Sequence, residues 1–139
     1  MPRTRVETRA RARVLQALYA WDVRGEAQLQ RVASLIWDDL SVAPEERKLA
    51  QLLVKTIAEH GKELDAEIVE VTMNWRLDRL AVMDRCVLRL GAAELFRAET
   101  PPRVVIQESV RLAERYGSLK SAKFVNGVLD ALARRMGRM

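Results

Sequence analysis

The chain has one cysteine and one histidine in 139 residues, Cys86 and His60. A lone cysteine forms no internal disulfide, and one imidazole with one thiol cannot assemble a zinc site or a Cys–His nucleophile pair. No apolar run approaches the roughly 18 residues of a bilayer span, so no membrane insertion is expected. The six glycines are isolated, which leaves no Gly-rich phosphate loop, and no serine stands in a nucleophile-elbow setting. The adjacent pairs Asp38-Asp39 and Glu45-Glu46 diverge around a helix and read as solvated faces rather than acid–base pairs. The chain opens on Met1-Pro2-Arg3-Thr4-Arg5 rather than on a basic stub and an apolar run, so a reducing, cytoplasmic setting is expected. An enzyme, a metal and a cofactor are all unexpected.

What remains is a folded, charged chain. Hydrophobic residues make up 49% and charged residues 31%, the balance of a globular domain rather than a disordered one. The formal net charge of +5 is unevenly spread. Residues 1–25 carry six basic and two acidic side chains (+4), residues 26–75 five and ten (−5), and residues 76–139 thirteen and seven (+6). Basic ends around an acidic middle suit a polyanion at the ends and a basic protein at the centre.

Strict alternation never persists long enough for a strand, and helical spacing recurs throughout. Ala10, Val14, Ala17, Leu18 and Trp21 form a first stripe, and Leu29, Val32, Ala33, Ile36, Trp37 and Leu40 a second. Pro44 suits the first turn of a third helix over 44–60, packing through Leu49, Leu52, Leu53 and Ile57. Gly61 marks a stop or kink with His60 at the helix end, and Leu64, Ile68 and Val71 carry a fourth helix to about residue 73. Further helices are expected over 80–98, from the Pro101-Pro102 break to Gly117, and over 121–135. The fold class is therefore all-α, with about seven helices in two small packed bundles, residues 1–75 and 76–139. The seam is placed near 74–80, where the charge changes sign. Trp75, Leu77 and Leu80 are expected to staple the bundles, Gly91 and Gly127 to permit close helix contact, and Cys86 to lie in the core.

The functional signal is basic and aromatic. Arg5, Arg9 and Arg13 recur at i, i+4, i+8 with Glu7 almost the only acid nearby. Such a stripe is either a solvated face or a place for phosphates, whose binding would relieve its self-repulsion. Lys120, Lys123 and Phe124 form a second cluster at the start of the last helix, where backbone N–H groups favour an anion and a ring could stack on an unpaired base. Phe124 serves equally well as a core anchor, and so do Tyr19 and Trp21.

Four segments occur in an order that resembles the NusB family. They are Arg9-Ala10-Arg11 with Leu15-Gln16-Ala17-Leu18-Tyr19-Ala20-Trp21-Asp22, then Asn74-Trp75-Arg76-Leu77-Asp78-Arg79-Leu80, then Asp84-Arg85-Cys86-Val87-Leu88-Arg89-Leu90-Gly91-Ala92-Ala93-Glu94-Leu95, and Lys123-Phe124-Val125-Asn126-Gly127-Val128-Leu129-Asp130. The Pro-Pro turn and Val104-Val105-Ile106-Gln107-Glu108 fit the same pattern, so the resemblance covers nearly the whole chain. It implies a two-bundle helical protein that binds boxA single-stranded RNA of rRNA leader transcripts. Its partners would be NusE, a small-subunit ribosomal protein, and then RNA polymerase and the other Nus factors during antitermination. A homodimer is a further possibility of such proteins.

Carried over by position, Arg9 and Arg11 match basic residues of the family's N-terminal arginine motif, Tyr19 matches its tyrosine, and Lys123 and Phe124 match the Lys-Phe opening the last helix. Glu7 and Thr8 stand where arginines are common, which shifts the expected contacts to Arg3, Arg5 and Arg13. Lys120 replaces a commonly acidic residue, a reversal expected to add about 1 kcal/mol to non-specific RNA affinity near a phosphate. The candidate RNA site is thus Arg3, Arg5, Arg9, Arg11, Arg13, Tyr19, Lys120, Lys123 and Phe124. A similar domain fused to an rRNA cytosine methyltransferase is the enzyme-associated alternative. It is disfavoured because no catalytic cysteine motif is present. A module that assembles ribosomal components and touches RNA only through charge is the third reading.

Overall fold

The computed structural model describes residues 5–25, 28–72 and 76–139. Arg3, Asn74 and Trp75 lie outside these, and for Arg5 only the backbone is described. Among the described residues six α-helices follow one another: α1 (Arg5–Arg24), α2 (Leu29–Asp39), α3 (Pro44–Val71), α4 (Val82–Arg97), α5 (Pro102–Tyr116) and α6 (Leu119–Arg135). A 3-10 turn, Leu77–Arg79, precedes α4, and no strand occurs among the described residues. None of the described helices is long and apolar enough to cross a membrane.

The helix count is one short of seven because Gly61 neither stops nor ends a helix. It lies inside the 28-residue α3. One glycine costs a helix about 1 kcal/mol, and the apolar residues on either side stay in phase: Ile57, Leu64 and Ile68 are all buried. His60 is accordingly not a helix-end residue. Its ring packs against Phe96 with centroids 4.5 Å apart, and its Nδ1 lies 3.6 Å from the Glu63 carboxylate.

By its internal packing the chain divides into two units, up to Glu59 and from His60 onward. The division falls inside α3, whereas the change in charge sign points to 74–80. Charge sign is a surface property and does not register which side chains pack together.

In the first unit α1 packs on α2 through Ala10, Val14, Ala17 and Leu18 on one helix and Val32, Ala33 and Trp37 on the other, all buried. The Trp37 indole N–H donates to the Arg13 carbonyl at 3.2 Å. Pro44 opens α3 with Glu45 and Glu46 in the first turn, where the helix dipole favours them. Two apolar positions of the expected core are at the surface: Leu40 and Leu52 are exposed, and Leu53, Val54 and Ile57 carry the burial on α3.

In the second unit α4, α5 and α6 contact one another. Cys86, Val87, Leu88, Leu90 and Leu95 are buried along α4, and Val125, Leu129 and Leu132 along α6. Gly91 is required here, because a Cβ would fall 2.8 Å from Leu129 Cδ1 and 3.1 Å from Ser109 Oγ. Gly127 is not: a Cβ there meets nothing within 4 Å, so the close contact expected of it does not exist within the described chain. α4 ends at Ala98 in the left-handed conformation (φ 60°), and Pro102 takes the first position of α5. The Arg138 guanidinium closes the end of α4, donating to the carbonyls of Leu95 and Thr100. Arg89 and Asp65 pair through two hydrogen bonds of 3.0 and 3.2 Å, which ties α4 to the part of α3 in this unit. Leu77 and Leu80 are half-buried.

Candidate nucleic-acid interface

Within the described part of the α1 stripe, Arg9 and Arg13 do not stand unneutralised. Arg9 and Arg13 turn to one acceptor, Glu46 in the first turn of α3, which takes a hydrogen bond from each Nε, that from Arg13 at 3.3 Å. Glu46 is only 5% exposed, so the solvated face expected for Glu45-Glu46 holds for Glu45 alone. A residue 33 positions away neutralises the repulsion, which no local pattern could reveal.

Arg11 is 3% exposed and held within the molecule, so it is not a surface cation available to a phosphate. The reason is helical geometry: Arg11 lies beside Ala10 and Val14 and Leu15, all buried, and faces inward with them. Arg9 is exposed, Arg13 is half-buried, and Tyr19 is 46% exposed, which removes the core reading for that ring.

Replacing Glu46 with glutamine removes the charge that holds both arginines. The expected result is a loss of about 1–2 kcal/mol in urea denaturation, less than a buried triad would lose because Arg9 is solvent-exposed. Affinity for unselected single-stranded RNA rises at the same time, as two guanidiniums are released to phosphates. Unchanged RNA affinity would show that Arg9 and Arg13 do not reach the ligand.

In the second unit α6 begins two residues earlier than its apolar pattern indicates, because Ser118 caps it: the Ser118 hydroxyl accepts the Ser121 N–H at 3.0 Å. Lys120 and Lys123 are exposed on the first turns, with no ion pair to a described residue. Phe124 is half-buried, neither a core anchor nor fully in solvent. It lines a cleft of about 270 Å³ with Lys120, Ser121, Leu80, Arg79 and Asp84. That is just below the roughly 300–1,000 Å³ of pockets for drug-sized ligands. Asp84 lines the cleft from the α4 side, and its Oδ1 is buried with no hydrogen-bond partner among the described residues. Arg85 shapes the facing turn, donating to the carbonyls of Leu77 and Leu80 at 3.0 Å each.

The cleft therefore combines a ring, two cations and a carboxylate acceptor, the groups needed to stack a base, hold its phosphate and read an N–H. Arg79 and Asp84 were not legible as site residues. They come from the turn and helix some forty positions before Phe124, and no local spacing links them to it. A larger opening of about 540 Å³ between α5 and α6 is lined by Ile106, Val110, Arg103 and Arg111, without a ring on which a base could stack. Among the described residues no three His, Cys, Asp or Glu side chains gather into a metal-binding group.

A model of the NusB family matches residues 8–134. The transcription antitermination protein NusB of Anaeromyxobacter dehalogenans (strain 2CP-1 / ATCC BAA-258) is 48% identical over 129 residues, 91% of this chain and 89% of the relative. Among solved structures, a chain in the crystal structure of a plectonemic RNA supercoil superposes with a TM-score of 0.88 at 33% identity, covering 96% of this chain and 97% of that one. The crystal structure of antitermination factors NusB and NusE in complex with dsRNA contains a chain that matches with a TM-score of 0.86 at 32% identity, over 96% and 99%.

Proposed function

This chain belongs to the NusB family of transcription antitermination proteins, and we propose that it binds boxA-type single-stranded RNA of rRNA leader transcripts together with NusE to favour antitermination. The observation that carries this reading is the cleft at the start of α6, where the half-buried Phe124 ring stands beside exposed lysines. Phe124 stacks on an unpaired base, Lys120 and Lys123 hold the flanking phosphates, and Asp84 accepts a base N–H. On the first unit, Tyr19 offers a second ring, and Arg9 and Arg13 reach phosphates by exchanging Glu46 for them. Arg3 and Arg5 are kept among the proposed contacts on their charge in the sequence, while Arg11, being buried, supports α1 rather than the ligand.

The role is one of binding, not catalysis, in the cytoplasm where transcription occurs. Supporting RNA binding in general are the relatives' role in antitermination and a structural neighbour that is a complex of NusB and NusE with dsRNA. Assembly with RNA polymerase and other Nus factors is part of the same proposal.

Fluorescence anisotropy of a labelled boxA RNA and a scrambled RNA, with and without the cognate NusE and at two salt concentrations, tests the reading. Selective binding that tightens with NusE is the expected result. Weak, unselective binding that is indifferent to NusE and falls steeply with salt would leave only phosphate contacts, and with them a dimeric or assembly role.

A further inference from the structure

Gly127 stands in the interior of α6, where glycine is a poor helix former, and nothing in the described chain explains it. It is exposed, its φ is not positive, and a Cβ built on it meets no atom within 4 Å. Four other glycines have a structural reason. Gly25 and Gly137 adopt φ of 82° and 73°. A Cβ on Gly91 would collide with Leu129, and one on Gly117 would fall 2.7 Å from the Ala113 carbonyl oxygen. Gly61 has open surroundings too, but its neighbours three and four positions away, Ile57, Ala58, Leu64 and Asp65, include no cation and no ring.

The corresponding neighbours of Gly127 are Lys123, Phe124, Asp130 and Ala131. Residues three and four apart share a helix face, so Lys120, Lys123 and Gly127 form one strip running along α6 from the Phe124 cleft. The acid at its far end is already engaged, since Asp130 accepts from Arg134 Nε at 3.1 Å. The strip is thus cationic at one end and bare at the other, with a base-stacking ring at its edge.

We infer that the strip Lys120–Lys123–Gly127 is the track on which the sugar–phosphate chain of the bound RNA crosses α6, and that the missing side chain at 127 lets it approach the helix backbone. A strand whose base lies on Phe124 and whose phosphate lies on Lys123 passes directly over Gly127. A side chain there would hold the strand away from both. The inference rests on the RNA-binding reading above and adds to it a contact made by absence of bulk.

Gly127→Ala and Gly127→Leu, with Phe124→Ala alongside, test it by thermal melts and by anisotropy on labelled boxA RNA. Both substitutions improve helix propensity, so Gly127→Ala raises the Tm by about 4 °C. RNA affinity moves the opposite way, weakening about threefold with alanine and about tenfold with leucine. A raised Tm with unchanged RNA affinity in both variants overturns the track, and so does a lowered Tm, which would give Gly127 a packing role. Loss of NusE binding with RNA binding intact overturns it in favour of a protein contact. If the wild type itself does not prefer boxA RNA, the RNA reading falls and the track with it. If the wild type does, Phe124→Ala abolishes the preference and Gly127→Leu keeps it, only the track is lost.

Discussion

Phe124→Ala is expected to weaken binding of boxA RNA by about 5- to 150-fold, the 1–3 kcal/mol of one lost base stack, and to weaken binding of a scrambled RNA much less. The difference arises because Lys120, Lys123 and the arginines act on phosphates, which are the same in both ligands, whereas the ring senses how a particular base fits the cleft beside Asp84 and Arg79. Phe124 is half-buried, so its truncation also removes some packing, and circular dichroism melts are needed alongside. Phe124→Leu separates the two effects: it keeps apolar bulk for the fold and removes the π-face. Anisotropy on the two RNAs is the measurement. Equal losses on both would reduce Phe124 to a structural residue and leave the cleft without a base.

The largest effect on stability is expected from Trp37→Ala, at about 3–5 kcal/mol in urea denaturation followed by circular dichroism. Trp37 is 1% exposed and joins three parts of its unit. Its ring fills the space between α1 and α2, its indole N–H satisfies the Arg13 carbonyl, and the Arg47 guanidinium of α3 lies 5.9 Å from its centroid. Arg47 is itself fixed by Asp38 at 2.5 Å and by the Ser34 hydroxyl at 3.1 Å. A loss of that size consumes much of the roughly 5–15 kcal/mol by which a domain is stable. Trp37→Phe keeps most of the volume and gives up the hydrogen bond, so about 1 kcal/mol is expected. If Trp37→Ala cost less than 1 kcal/mol, α1 would be held by something other than this ring. The functional consequence would follow, since α1 presents Arg9, Arg13 and Tyr19.

Helix type and order were legible because the apolar period of each segment is strong: Ala10, Val14, Ala17 and Leu18 on α1 and Leu29, Val32, Ala33 and Trp37 on α2 are buried where the spacing places them. Proline breaks were legible for the same local reason, and Pro44 and Pro102 open helices. Gly61 was misleading, because a local propensity of about 1 kcal/mol is smaller than the burial of Ile57, Leu64 and Ile68 around it. Leu40 and Leu52 misled in the opposite direction, since an apolar residue at the edge of a stripe need not find a neighbour. The cluster Lys120, Lys123 and Phe124 could be read from adjacent letters.

The sequence by itself determined the all-α class, the family, the impossibility of an internal disulfide, and the basic and aromatic character of the start of α6. These depend on composition, period and short ordered motifs, all of which survive without coordinates. Only the tertiary structure decided which charges are available. Arg11 points inward, Arg9 and Arg13 share the buried Glu46, and Asp84 and Arg79 join Phe124 in one cleft. Electrostatic pairing and burial depend on distance in space, and residues 33 or 40 positions apart carry no local mark of the contact that unites them.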